Sequence, residues 1–102
     1  MRAIIKSNLI ELERICKNRG VSKLYTFGSI NNGNFHENSD LDFLVEFKEI
    51  ASKEYADNYL DMCYELESVF NRNVDLVTTR SVKNPIFQNE INNSKELVFE
   101  EA

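Results

Sequence analysis

The stretch "FGSINNGNFHENSDLDFLVEF", Phe27 to Phe47, decides the fold. It joins a Gly-Ser pair to two aspartates flanking a leucine, across a run crowded with asparagine. Leu41, Phe43, Val45 and Phe47 alternate with Asp42, Leu44 and Glu46, the period of a strand with one face turned to a core. Residues two apart share a face, so Asp40 and Asp42 point the same way with Cα atoms roughly 6 to 7 Å apart. Carboxylates that close raise one another's pKa unless a cation intervenes, and an all-oxygen donor set selects hard ions such as Mg²⁺ or Mn²⁺ over zinc.

Upstream, "VSKLYTF" (21–27) reads as a first strand that stops at Gly28. A missing Cβ there lets a phosphate approach the backbone, with the N–H groups of Ser29 and Ile30 and the Ser29 hydroxyl as donors. Residues 3–18 place Ile5, Leu9, Leu12 and Cys16 at helical steps beside Ile15, and Gly20 follows as C′. Downstream, Ser52 is the expected N-cap of a long helix to Asn71, carrying Tyr59, Met62, Cys63, Leu66, Val69 and Phe70 on its apolar side.

"NVDLVTT" (73–79) is a third strand, in which Asp75 stands between Val74 and Leu76. An unpaired carboxylate there is expensive to desolvate. Either it pairs with Arg72 or Arg80, or it joins Asp40 and Asp42. Such a triad holds two divalent ions roughly 3.5 to 4 Å apart across an in-line phosphoryl displacement, and Asp75 can also serve as the base. After Pro85 a helix begins through Ile86, Phe87 and Ile91 and gives way to irregular or extended chain. The expected fold is α+β, a small mixed sheet flanked by helices in the order α-β-β-α-β-α, with a turn or helical stub after Gly28.

The 102 residues, 42% of them hydrophobic, suffice for one domain, 1–102, with a real core. Twelve basic against seventeen acidic residues, a formal charge of −5, leave no broad positive field, so an extended nucleic acid is disfavoured as a partner. Cys16 and Cys63 form neither a CxxC pair nor a disulfide framework. No signal peptide or membrane span is evident, and the expected compartment is the cytoplasm. His36 falls in a loop and is expected to be exposed. Tyr55, Tyr59, Met62, Tyr64 and Phe70 read mainly as packing. Phe87, Ile91 and Leu97-Val98-Phe99 make a docking patch if they lack internal partners, and the acidic excess suits a basic partner.

"GS", ten intervening residues, "DLD" and the later "VDLV" resemble the minimal nucleotidyltransferase family of the DNA polymerase β superfamily, with Gly33 and Ser39 also in place. The resemblance spans nearly the whole chain. It implies that Gly28, Ser29 and Ser39 bind the nucleotide, ATP or another nucleoside triphosphate. It further implies that Asp40 and Asp42 bind two Mg²⁺ ions, that Asp75 completes the carboxylate set, and that pyrophosphate leaves. Small members of this kind are paired with a helical HEPN-domain toxin and act as antitoxins, some by transferring AMP to a tyrosine of the toxin. One departure stands out: Asn31-Asn32 replaces the family's Ala-Arg, which removes a guanidinium and makes a poor helix former of the stub. Two rival readings follow: an antitoxin that neutralises its toxin by binding alone, and a homo-oligomeric small-molecule nucleotidyltransferase.

Overall fold

The helical spacing of residues 3–18 produces two helices, α1 (Ala3–Lys6) and α2 (Leu9–Asn18), rather than one. The cause is local. The Asn8 side chain donates to the Ile4 carbonyl at 2.9 Å, and asparagine competes in this way with the helical ladder. The computed structural model describes residues 2–50 and 52–101. Arg19 caps α2 and Gly20 takes φ +70°, the left-handed C′ position its lack of a Cβ makes easy.

The strand readings hold: β1 (Val21–Phe27), β2 (Leu41–Phe47) and β3 (Val74–Thr78), with α3 (Ser29–Asn32) as the stub after Gly28 and α4 (Ser52–Phe70) as the long helix. The side chain of Ser52, the expected N-cap, lies outside the described residues. A 3₁₀ turn (Thr79–Ser81) leads to α5 (Pro85–Ser94), whose Asn84 cap accepts from the Ile86 and Phe87 amides at 2.9 and 3.4 Å.

The segment expected to be irregular or extended is a fourth strand, β4 (Glu96–Glu100), antiparallel to β1. It escapes a period-two reading because the register shifts between Leu24 and Tyr25, so that consecutive Val98 and Phe99 are both buried. This also corrects the docking patch: Ile91, Val98 and Phe99 have internal partners, while Leu97 remains 42% exposed. Tyr64, read as packing, is 75% exposed.

The sheet runs β3-β2-β1-β4. β1 is antiparallel to β2 and β4, whereas β2 and β3 are parallel because α4 carries the chain back across the sheet. One face meets α2 and α4 in the main core, where Leu12, Ile15, Met62 and Leu66 pack with Leu24, Leu41, Phe43 and Val45. The other face is only partly covered. There α5 lays Ile91 against Phe27 and Leu44, and two acids continue the row of the sheet that starts at Phe27.

Candidate active site

That row is Phe27, Asp42, Asp75. β1 pairs Phe27 with Asp42, and the parallel ladder pairs Asp42 with Asp75. Directly paired residues on adjacent strands share a face, so the carboxylates of Asp42 and Asp75 are neighbours. Asp40 precedes β2 and is exposed, as is Asp75, while Asp42 is half-buried. Burial first, then the charges of Asp75 and Asp40, push the Asp42 carboxyl from 3.8 up to about 6. Asp42 therefore feels the charges of both other acids.

Among the described residues Asp75 is not consumed by a structural ion pair. Among the described residues, neither Arg72 nor Arg80 forms one with it. Arg80 lies over the Tyr55 ring, 4.4 Å from its centroid. Arg72 stacks on Phe35 at 4.6 Å and donates through Nη1 to the carbonyls of Ser39 and His36 at 3.0 and 3.3 Å. It thereby ties the start of β3 to the loop that delivers Asp40. Nothing in the spacing announced this role. Arg72→Ala is expected to cost about 2 kcal/mol, the scale for hydrogen bonds to a charged group, and to weaken divalent-cation binding by loosening that loop. Denaturation and Mn²⁺ titration of the variant check both, with Arg72→Lys restoring charge but not the fork.

Gly28 stands against the acids. Its backbone has φ +77° and ψ −142°, a region nearly restricted to glycine, and a Cβ added there would lie 2.5 Å from Asp42 Oδ2. The bare Cα thus makes room for the carboxylate as well as for any ligand approaching the backbone. Ser29 opens α3, where helical geometry leaves the first amides without helical partners. Ile30 anchors the stub in the main core. Asn31, expected to weaken it, instead holds it: its amide donates to Thr26 Oγ1 and to the carbonyls of Thr26 and Ser94 at 3.1, 3.0 and 2.8 Å. The Gly28 amide also reaches Ser94 Oγ at 3.3 Å, so the end of α5 is fastened to this loop.

Ser39 sits in the loop before Asp40, its Oγ accepting from the His36 amide at 3.0 Å. That bond shapes the approach to the acids and leaves the Ser39 hydroxyl able to donate. His36 is exposed, as expected. The donor set at the acids is oxygen throughout, which fits Mg²⁺ or Mn²⁺. Among the described residues no three His, Cys, Asp or Glu side chains already close into a metal cage. Mg²⁺ takes one or two carboxylates and completes its shell with phosphate oxygens and water, a demand that the neighbouring Asp42 and Asp75 can meet.

Comparison with known proteins agrees with the geometry. The family described as nucleotidyltransferase domain matches residues 9–99. A protein of Methanocaldococcus jannaschii, provisionally named a protein adenylyltransferase, is 34% identical over 88 residues, 85% of this chain and 87% of that protein. Protein adenylyltransferase MntA of Thermococcus cleftensis is 37% identical over 67 residues, 66% of this chain and 65% of that one. A solved structure provisionally described as a minimal nucleotidyltransferase shares the fold with a TM-score of 0.74 at 24% identity, covering 90% of both chains. A complex of tri-AMPylated Shewanella oneidensis HEPN toxin with MNT antitoxin contains a similar fold, TM-score 0.66 at 16% identity over 94% of this chain and 72% of that one. Matched over residues 9–99 and sharing about a third of its residues with a relative of nearly equal span, the chain belongs to the nucleotidyltransferase domain family.

Proposed function

We propose that this chain is an antitoxin of the cytoplasm, acting as one domain, that transfers AMP from ATP to a tyrosine hydroxyl of a cognate HEPN toxin with Mg²⁺ as cofactor. The observation that carries the reading is the direct pairing of Asp42 with Asp75 against the bare backbone of Gly28. The names of the relatives, protein adenylyltransferases and an antitoxin bound to an AMPylated toxin, support the acceptor class. The formal charge of −5 suits a basic protein partner. Among the described residues no helix is long and apolar enough to cross a membrane.

In this reading Gly28 lets the phosphate chain approach the backbone, with Ser29 as a donor to it. Asp40, Asp42 and Asp75 would hold two Mg²⁺ ions, which would supply positive charge against the α-phosphate and the departing pyrophosphate. The tyrosine oxygen attacks the α-phosphorus, the bond from that phosphorus to the bridging oxygen of the β-phosphate breaks, and pyrophosphate leaves. The phenolic proton passes to the exposed Asp75 carboxylate and then to water. The product carries a bulky phosphodiester anion on the toxin surface.

The test is incubation of the chain with α-labelled ATP, Mg²⁺ and the small helical protein encoded beside it. Covalent label on a tyrosine of that protein, lost with Asp40→Asn, is the expected result. Tight complex formation without label in either form would instead establish neutralisation by occlusion.

A further inference from the structure

β3, which carries Asp75, lies at the edge of the sheet and pairs with β2 on one side only. The Leu41 amide donates to the Asn73 carbonyl at 3.0 Å, and Leu41 pairs with Val74. In a parallel ladder that phase turns the peptide groups of Asn73, Asp75 and Val77 toward β2 and those of Val74, Leu76 and Thr78 toward the free edge. Two of the outward groups are met by side chains of α4. Glu67 Oε2 accepts from the Val74 amide at 3.2 Å, and the Tyr59 hydroxyl donates to the Leu76 carbonyl at 2.7 Å. One bond falls on the residue before Asp75 and the other on the residue after it.

We propose that Tyr59 and Glu67 are positioning residues for Asp75, holding its stretch of β3 where the carboxylate meets Asp42. The inference rests on the reading of Asp75 as a metal-binding acid. Asp75 is exposed, so its own side chain has little packing to fix it. Its place in space is that of the backbone beneath it, and a strand paired on one side is among the first elements to open locally. The helix α4 supplies the missing second side. Its Met62 and Leu66 are seated in the main core, while Tyr59 and Glu67, both half-buried, reach out to the strand edge. The two bonds therefore pass the rigidity of the core to the residues flanking Asp75. Precision matters there, because a misplacement of about 1 Å can cost on the order of a hundredfold in rate. If the bonds only satisfied the edge and discouraged strand addition, they would bear on stability and self-association and leave the metal site alone.

The experiment is Mn²⁺ titration of the full chain with a non-hydrolysable ATP analogue, in the wild type and in an Asp75→Asn background. Tyr59→Phe and Glu67→Leu are each expected to weaken Mn²⁺ binding about tenfold, the lower end of the range for residues that hold metal ligands in place. Glu67→Gln, whose amide oxygen can still accept from the Val74 amide, is expected to restore most of the affinity that Glu67→Leu loses. With Asp75→Asn already present, neither substitution should have a further effect, because the carboxylate they place is gone. In the metal-free chain the Asp75 amide should exchange with solvent faster in Tyr59→Phe, with the amides of β1 unchanged. Wild-type Mn²⁺ affinity in both variants, the same tenfold loss in the Asp75→Asn background, or an unaltered Asp75 exchange rate overturns the positioning role and leaves the acid site standing. Mn²⁺ binding that Asp75→Asn alone does not weaken overturns it together with the reading on which it rests.

Discussion

Asp42→Asn is expected to reduce nucleotidyl transfer by at least about a thousandfold, the scale seen when one member of a cooperating catalytic set is removed, and at the same time to stabilise the protein at pH 8. The two effects share one cause. Asp42 is half-buried beside Asp75 and Asp40, and its carboxyl is pushed up from 3.8 to about 6 by burial and then by those charges. Between these values the folded state holds a proton that the unfolded chain has lost, so stability falls as pH rises through that window and is fully recovered below it. The amide carries no charge to repel. Allowing for solvent screening of a partly exposed group, the gain is about 1 kcal/mol above pH 6, a rise of about 4 to 8 °C in Tm for a domain of this size. Thermal melts in EDTA at pH 8 and pH 3 check it, the difference between the proteins vanishing at the lower pH. Added Mg²⁺ should raise the wild-type Tm and leave the variant unmoved, because a cation binds only the folded carboxylate set. A variant less stable than wild type at pH 8 would mean that the Asp42 charge is already compensated within the protein.

Gly28→Ala should be the most damaging small substitution in the chain. Its backbone conformation is strained for any residue with a Cβ, and that Cβ would meet Asp42 Oδ2 at 2.5 Å. Conformational strain of about 1–3 kcal/mol and a collision of similar size give a loss of about 2–6 kcal/mol, with activity lost as Asp42 is displaced. The two contributions separate in a double-mutant cycle. Combining Gly28→Ala with Asp42→Ala removes the carboxylate that collides but not the backbone strain, so about half of the loss should return, a coupling well above the 0.3–0.5 kcal/mol scatter of independent sites. Urea denaturation of the four proteins measures it. Full additivity would place the carboxylate farther from Gly28 than the structure does.

These expectations draw on features that differ in how far the sequence discloses them. The strands and the acid row were legible because alternation in residues 41–47 and the apolar surroundings of Asp75 are local signals, each carried by a few consecutive residues. The parallel pairing of β2 with β3 follows from the long helix between them. What escaped was set by distant partners. The break at Asn8 depends on a side-chain bond to Ile4 that an uninterrupted apolar stripe does not reveal. β4 hides behind the register shift opposite Leu24 and Tyr25, which buries Val98 and Phe99 together.

The site shows the same division. Asp40, Asp42, Asp75 and Gly28 announce themselves by spacing. Arg72 and Asn31 do not, because each works through carbonyls thirty or more positions away in the chain, those of His36 and Ser39 for the arginine and that of Ser94 for the asparagine. Asn31 in particular reads as a weak helix former until α5 is seen to end against it. Tyr59 reads as packing alone, because its hydroxyl meets a carbonyl of β3 that only the folded chain brings to it.

The measurement that bears most directly on the account is Mn²⁺ binding to the full chain in the presence of a non-hydrolysable ATP analogue, compared with Asp42→Asn and Asp75→Asn. Two ions per chain in the wild type, with binding sharply weakened in each variant, is the predicted result. Mn²⁺ held equally well by the wild type and by Asp75→Asn would contradict it, because the paired strands would then place that carboxylate beside Asp42 without the cation between them.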